Sequence, residues 1–199
     1  MLKKVVFDFD GTLADTFEQM MTLIRGIRPE LGDREVKLYK EKGARVFVDE
    51  FKIPLVEIIG MVMKIQKQQN KIINQAAGFK GIKKLIEELK RNKIEVGILT
   101  SNSKKNVEKW LKEKDIEVDW VQSESTIFGK EKAIARVKTS DMVYVGDEVR
   151  DIEACKKIEV KIVAVSWGYN TKQALVNAGA DYVVDDVVEL RNLFLIFNQ

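Results

Sequence analysis

Residues 5 to 13 read VVFDFDGTL, so two carboxylates, Asp8 and Asp10, close an apolar run of the kind that forms a buried strand. Charges leave water only at large cost unless a partner or a metal receives them. The pair therefore calls for a cation, a chemical task, or both. Three further clusters carry reactive groups: Thr100 and Ser101 in ILTSNS, Lys130 in FGKEKA, and Asp147, Glu148 and Asp151 in YVGDEVRD. Carboxylates that converge repel one another unless a divalent cation sits among them, and oxygen donors without nitrogen or sulfur favour Mg²⁺. Magnesium leaves part of its shell to water and phosphate. A hydroxyl and a lysine suit that phosphate's remaining oxygens, and helix N-termini after Asn102 and Gly129 would add N–H donors. Cys155 is the only cysteine and the chain has no histidine. That excludes an internal disulfide, most zinc sites and every histidine-dependent triad, and it leaves Cys155 as a small packed residue.

These groups need elements to bring them together. Apolar runs of strand length recur at Val5 to Phe9, Val96 to Leu99, Met142 to Val145, Lys161 to Val165 and Tyr182 to Val184, most followed by helical patterns. The alternation predicts an α/β fold with a doubly wound, mainly parallel sheet. Ligands of such sheets bind beyond the carboxyl ends of the strands, where all four clusters fall. The segment from Asp15 to Ala77 differs, with no convincing strand and two helical periods. Phe17, Met20, Met21, Ile24 and Ile27 mark one apolar face; Leu55, Ile58, Ile59, Val62, Ile65, Ile72 and Ala76 mark the other. A connection this long far exceeds a parallel crossover, which predicts a small helical domain over 15–77 inserted into a core of 1–14 and 78–199.

Composition agrees with a folded chain: 199 residues, 45% hydrophobic, suffice for one core with a modest insertion. The net charge of +3 comes from 34 basic and 31 acidic residues without a long single-sign block, which argues against a nucleic-acid partner. No window approaches a membrane span and the N-terminus does not read as a signal peptide, so a soluble, cytoplasmic protein without a membrane partner is expected. Oligomeric state is not legible.

In this order, DFDGTLADT, ILTSN, FGKEKA and VGDEVRD resemble the four motifs of the haloacid dehalogenase-like (HAD) hydrolases, and the resemblance extends through the closing GADYVVDD. The inserted helices are similar to the cap of phosphoglycolate phosphatase-like members. The resemblance implies a Rossmann-like core with a cap and a Mg²⁺-dependent phosphatase acting on a small phosphorylated metabolite, phosphoglycolate-like or a sugar phosphate. It implies Asp8 as nucleophile, Asp10 as general acid and then base, and Mg²⁺ held by Asp8, the Asp10 carbonyl and Asp147, with Asp151 and Glu148 as outer candidates. It further implies phosphate contacts from Gly11, Thr12, Ser101, Asn102 and Lys130. Ser101, followed by Asn102, is preferred to Thr100, and Lys130, following Gly129, to Lys132. A phosphomutase of the β-phosphoglucomutase kind shares these motifs, and a non-catalytic or phosphoreceiver-like signalling scaffold is the non-enzymatic alternative.

Overall fold

A computed structural model describes residues 2–124 and 129–198, with the backbone alone of Leu55. The chain runs β1 (Lys4–Phe7), β2 (Ala14–Asp15), α1 (Phe17–Ile27), α2 (Asp33–Glu50), α3 (Leu55–Ile72), a 3-10 turn (Ile73–Gln75) and β3 (Ala77–Gly78). It continues α4 (Ile82–Arg91), β4 (Glu95–Thr100), α5 (Lys104–Lys114), β5 (Trp120–Ser123), α6 (Lys130–Val137), β6 (Met142–Gly146), α7 (Val149–Lys157), β7 (Lys161–Val165), α8 (Lys172–Ala178), β8 (Tyr182–Val184) and α9 (Val187–Phe197).

Six strands form one sheet in the order β5-β4-β1-β6-β7-β8, and every pairing is parallel. Side chains alternate across it because successive residues of a strand point to opposite faces. Val5 and Phe7 join a core with Leu85 and Ile86 of α4, Trp110 of α5 and Phe194 of α9. Val6 and Tyr144 join the opposite core with Ile134 of α6, Ile152 of α7 and Leu175 of α8. The central strands β1 and β6 are neighbours whose connections leave in opposite directions, β1 toward β4 and β6 toward β7. That reversal opens a crevice at their carboxyl ends, and Asp8 and Asp147 are the residues reached there.

Strand β1 stops at Phe7, so both aspartates of the first cluster lie in the loop that follows. Strand β5 had no sequence signal: it is a short edge strand and only half-buried throughout. The inserted segment holds three helices, not two. Helix α2 is richly charged and broken by Gly43 at φ 82, which hides its period. Ile59, expected on the buried face of α3, is 52% exposed. The residues on either side of the segment also pair, β2 against β3, antiparallel, with Ala14 opposite Gly78. Among the described residues no helix is long and apolar enough to cross a membrane.

Candidate active site

The loop after β1 is built to turn back on itself. Gly11 sits at φ 76, in the left-handed region that favours glycine, and a Cβ there would lie 2.1 Å from Asp147 Oδ2. Its N–H donates to the Ala14 carbonyl at 2.9 Å, and the Thr12 N–H donates to the Phe9 carbonyl at 3.3 Å. The turn leaves Asp8 buried at the strand end, its own N–H donating to the Val145 carbonyl of β6 at 2.8 Å.

Asp8, Asp147 and Asp151 converge, each offering an oxygen within 4.8 Å of the others, and all three are buried. They come from the residue after β1, the residue after β6 and the first turn of α7. Lys130, at the start of α6, donates to Asp8 Oδ2 at 2.6 Å and also bonds Asp151 Oδ1. Asp147 is fixed from two sides: the Thr12 hydroxyl donates to Oδ1 at 2.7 Å and the Tyr169 N–H to Oδ2 at 2.7 Å. Gly168 must lack a side chain here, because a Cβ would lie 2.3 Å from the same Oδ2.

The electrostatics follow from burial. Loss of water pushes the Asp8 carboxyl up from 3.8 to about 6, against the pull of Lys130 and with the repulsion of Asp151. Burial, then Glu148, Asp8 and Asp151, raise Asp147 well above the usual carboxylate range. For Lys130 burial opposes the charge, but Asp151 and Asp8 outweigh it and hold the ammonium protonated well above its ordinary range. Three mutually repelling buried carboxylates, with oxygen as the sole donor type, fit a hard divalent cation such as Mg²⁺.

Asp10 occupies a separate environment. The Asn102 amide donates to its Oδ2 at 3.0 Å, and Gln69 Nε2, from α3, donates to its Oδ1 at 3.1 Å. Burial raises its carboxyl, while hydrogen bonds from Thr16, Asn102 and Gln69 draw it back. The site thus contains two carboxylates engaged by a lysine, Asp8 and Asp151, and another, Asp10, held by neutral amides, one of them from a helix of the inserted segment.

The two members of each ambiguous pair occupy different environments. Thr100 is buried and its Oγ1 accepts the Asn102 N–H at 2.9 Å, whereas Ser101 lines the cavity above the sheet together with Asp10. Lys130 reaches the carboxylates, whereas Lys132 is exposed. Phe128, the first residue of FGKEKA, lies outside the described residues. Gly11, Thr12 and Asn102 are brought to the site, but their groups described above are engaged by the chain itself. Glu148 does not join the three aspartates; it accepts the Tyr39 hydroxyl of α2 at 2.8 Å and Arg150 Nε at 2.8 Å.

Gln69, Tyr39, Arg150, Gly168 and Tyr169 escaped the sequence reading. For Gln69 a weak signal existed: Gln66, Gln69 and Asn70 recur at i, i+3 and i+4, a stripe of uncharged amides in the lysine-bearing second half of α3. The stripe docks on the loop after β4 and the first turn of α5, Gln66 Nε2 donating to the Ser101 carbonyl at 2.6 Å and Asn70 Nδ2 to Asn106 Oδ1 at 2.6 Å. Tyr39, Gly168 and Tyr169 had none, since their roles arise from contacts between distant parts of the chain; Arg150 pairs with Glu148 two residues before it.

Several known proteins resemble this chain. The phosphoglycolate phosphatase of Synechococcus elongatus is 27% identical over 202 residues, covering 95% of each chain. The N-acetylmuramic acid 6-phosphate phosphatase of Pseudomonas putida is 24% identical, covering 96% of each. The crystal structure of a predicted phosphatase from Clostridium acetobutylicum superposes with a TM-score of 0.82 at 21% identity, over 98% of this chain and 99% of that one. Residues 5–165 match the haloacid dehalogenase-like hydrolase family, and with β1, β6 and α7 bringing its acidic motifs together, the chain belongs to that family.

Proposed function

We propose that the protein is a Mg²⁺-dependent phosphatase that hydrolyses a small phosphomonoester through an aspartyl-phosphate on Asp8. The observation that carries this reading is the convergence of buried Asp8, Asp147 and Asp151 with Lys130 bonded to Asp8. Both relatives named above are phosphatases of small esters, though their named substrates differ. The Asp8, Asp147 and Asp151 carboxylates, with the Asp10 carbonyl, would hold the metal, which when bound offsets the combined charge of phosphate and carboxylates.

The chain's own residues divide the remaining work. Asp8 attacks phosphorus as the bond to the ester oxygen breaks, and Asp10 gives its proton to the departing alkoxide. Burial helps Asp10 keep that proton until it is needed. Asp10 then takes a proton from the water that attacks the aspartyl-phosphate, releasing inorganic phosphate and restoring Asp8. Lys130 and the Ser101 hydroxyl hold phosphoryl oxygens as negative charge redistributes among them. Gly11, Thr12 and Asn102 act by fixing Asp147 and Asp10.

Phosphate release from a panel of small phosphomonoesters, with Mg²⁺ and with chelator, tests the reading. Turnover is expected only with the metal, and Asp8→Asn should lower kcat by about 10³-fold or more. Turnover by Asp8→Asn close to that of the native protein would remove Asp8 from the nucleophile's role.

A further inference from the structure

The space above Asp10 has an unusual lining for a site that receives a phosphate ester. Its floor is polar, with Asp10, Ser101, Glu148, Arg150 and Tyr169. Its walls and roof are apolar: Met20 and Ile24 of α1, Phe47 of α2, and Ile58, Met61 and Val62 of α3 are among the side chains that close it. The cavity measures about 170 Å³.

Charge is absent from that roof among the described residues. Of the arginines in the inserted segment, Arg25 pairs with Asp33 at 2.7 Å, Arg28 with Glu30 and Glu57, and Arg34 and Arg45 are exposed without lining the cavity. Lys40 places its ammonium 4.0 Å from the centre of the Phe17 ring, and Lys64 and Lys67 are exposed. The cation that does reach the cavity, Arg150, is already paired with Glu148, its Nη2 2.5 Å from Oε1.

A carboxylate or second phosphate placed under this roof would lose its water and gain no free cation, an expensive exchange. Several sugar hydroxyls would likewise leave water without matching donors and acceptors. A compact apolar group meets no such cost. An apolar cavity of about 150 Å³ stays dry and accepts a benzene-sized guest.

Resting on the phosphatase reading, we infer that the alcohol portion of the substrate is a compact, uncharged, mainly apolar alkyl or aryl group, with its phosphate at Asp8 and its carbon skeleton beneath α1 and α3. This departs from the glycolate and sugar esters implied by the family resemblance, because the motifs specify the phosphate end alone. The cavity specifies the other end.

Binding and turnover separate the two readings. With Mg²⁺ present, calorimetry should give a dissociation constant at least tenfold lower for 2-phenylethylphosphonate than for 3-phosphonopropanoate, non-hydrolysable analogues of benzyl phosphate and phosphoglycolate. Turnover should follow, with kcat/KM at least tenfold higher for benzyl phosphate or 3-methylbutyl phosphate than for phosphoglycolate or glucose 6-phosphate. Equal or reversed preferences would overturn the inference while leaving the phosphatase reading intact. The expected binding preference with no turnover of any ester would do the opposite. Val62→Lys, verified as folded by circular dichroism, should weaken phenylethylphosphonate binding at least tenfold. Unchanged binding of both phosphonates by that variant would show that the cavity is internal packing of the helices and would also overturn the inference.

Discussion

At the scale of single residues, the types and order of the charged groups point to a chemistry, and environment distinguishes one neighbour from the next. Lys130 and Lys132 are alike in sequence, and two residues, about half a helical turn, separate an ammonium bonded to Asp8 from an exposed one. Lys130→Met should reduce phosphate release by about 10²-fold or more, because it strips the Asp8–Asp151 pair of its counter-charge and removes a phosphate ligand. Lys132→Met should stay within about twofold of native activity. Steady-state kinetics on both variants, with folding checked by circular dichroism, makes the comparison; the reverse ranking would move the phosphate contact to Lys132. The hydroxyl pair has the same lesson, since Thr100 is buried against the Asn102 N–H and Ser101 faces the cavity. Gly168 and Tyr169 were illegible for a different reason: they matter through proximity to Asp147, 22 positions away from the Tyr169 N–H that binds it.

At the scale of elements, legibility followed the strength of the period. The buried strands declared themselves as apolar runs, and β7 and β8 begin and end where the runs do. Strand β5 and helix α2 did not, the first being short and half-buried, the second highly charged and kinked at Gly43. Helix α3 was visible by its apolar face, while the residues that meet Asp10 and Ser101 are in the polar stripe that carries Gln69. The Gln69 amide donates to the Asp10 carboxylate and so favours its charged form. Gln69→Leu removes that donor, so the Asp10 carboxyl should rise further and keep its proton to higher pH. The alkaline limb of the kcat/KM profile, where Asp10 is needed as an acid, is therefore expected to move upward. The same change removes one acceptor of the Asn102 amide, which keeps its bond to Asp10, a loss of roughly 1 kcal/mol. A pH–rate profile together with a thermal melt reads both effects, and a downward shift would contradict the contact's assigned role.

At the scale of the whole molecule, parallel strands place three aspartates from distant segments in one buried space, and stability bears the result. Asp8 is raised from 3.8 to about 6, so between those values the folded protein keeps a proton that the unfolded chain has released. Stability therefore falls as pH rises through that window, by roughly 3 kcal/mol at most for this group, at about 1.4 kcal/mol per unit. Metal-free protein should melt at lower temperature at pH 7 than at pH 5, Mg²⁺ should recover the difference, and Asp8→Asn should show a smaller decline. Melting curves in chelator and in Mg²⁺ across that range test this, and a metal-free Tm that climbs with pH would refute it. The short pairing of β2 with β3 also has a topological meaning. Ala14 and Gly78 are held opposite each other by main-chain pairing, so the intervening chain departs and returns at a single gate. Loop-closure entropy grows only with the logarithm of the enclosed length, and here the closure is made by the core's own backbone. Whatever lies beyond that gate can lengthen, shorten or be exchanged at small entropic cost, which lets one phosphoryl-transfer sheet acquire new specificities by recombination of the excursion alone.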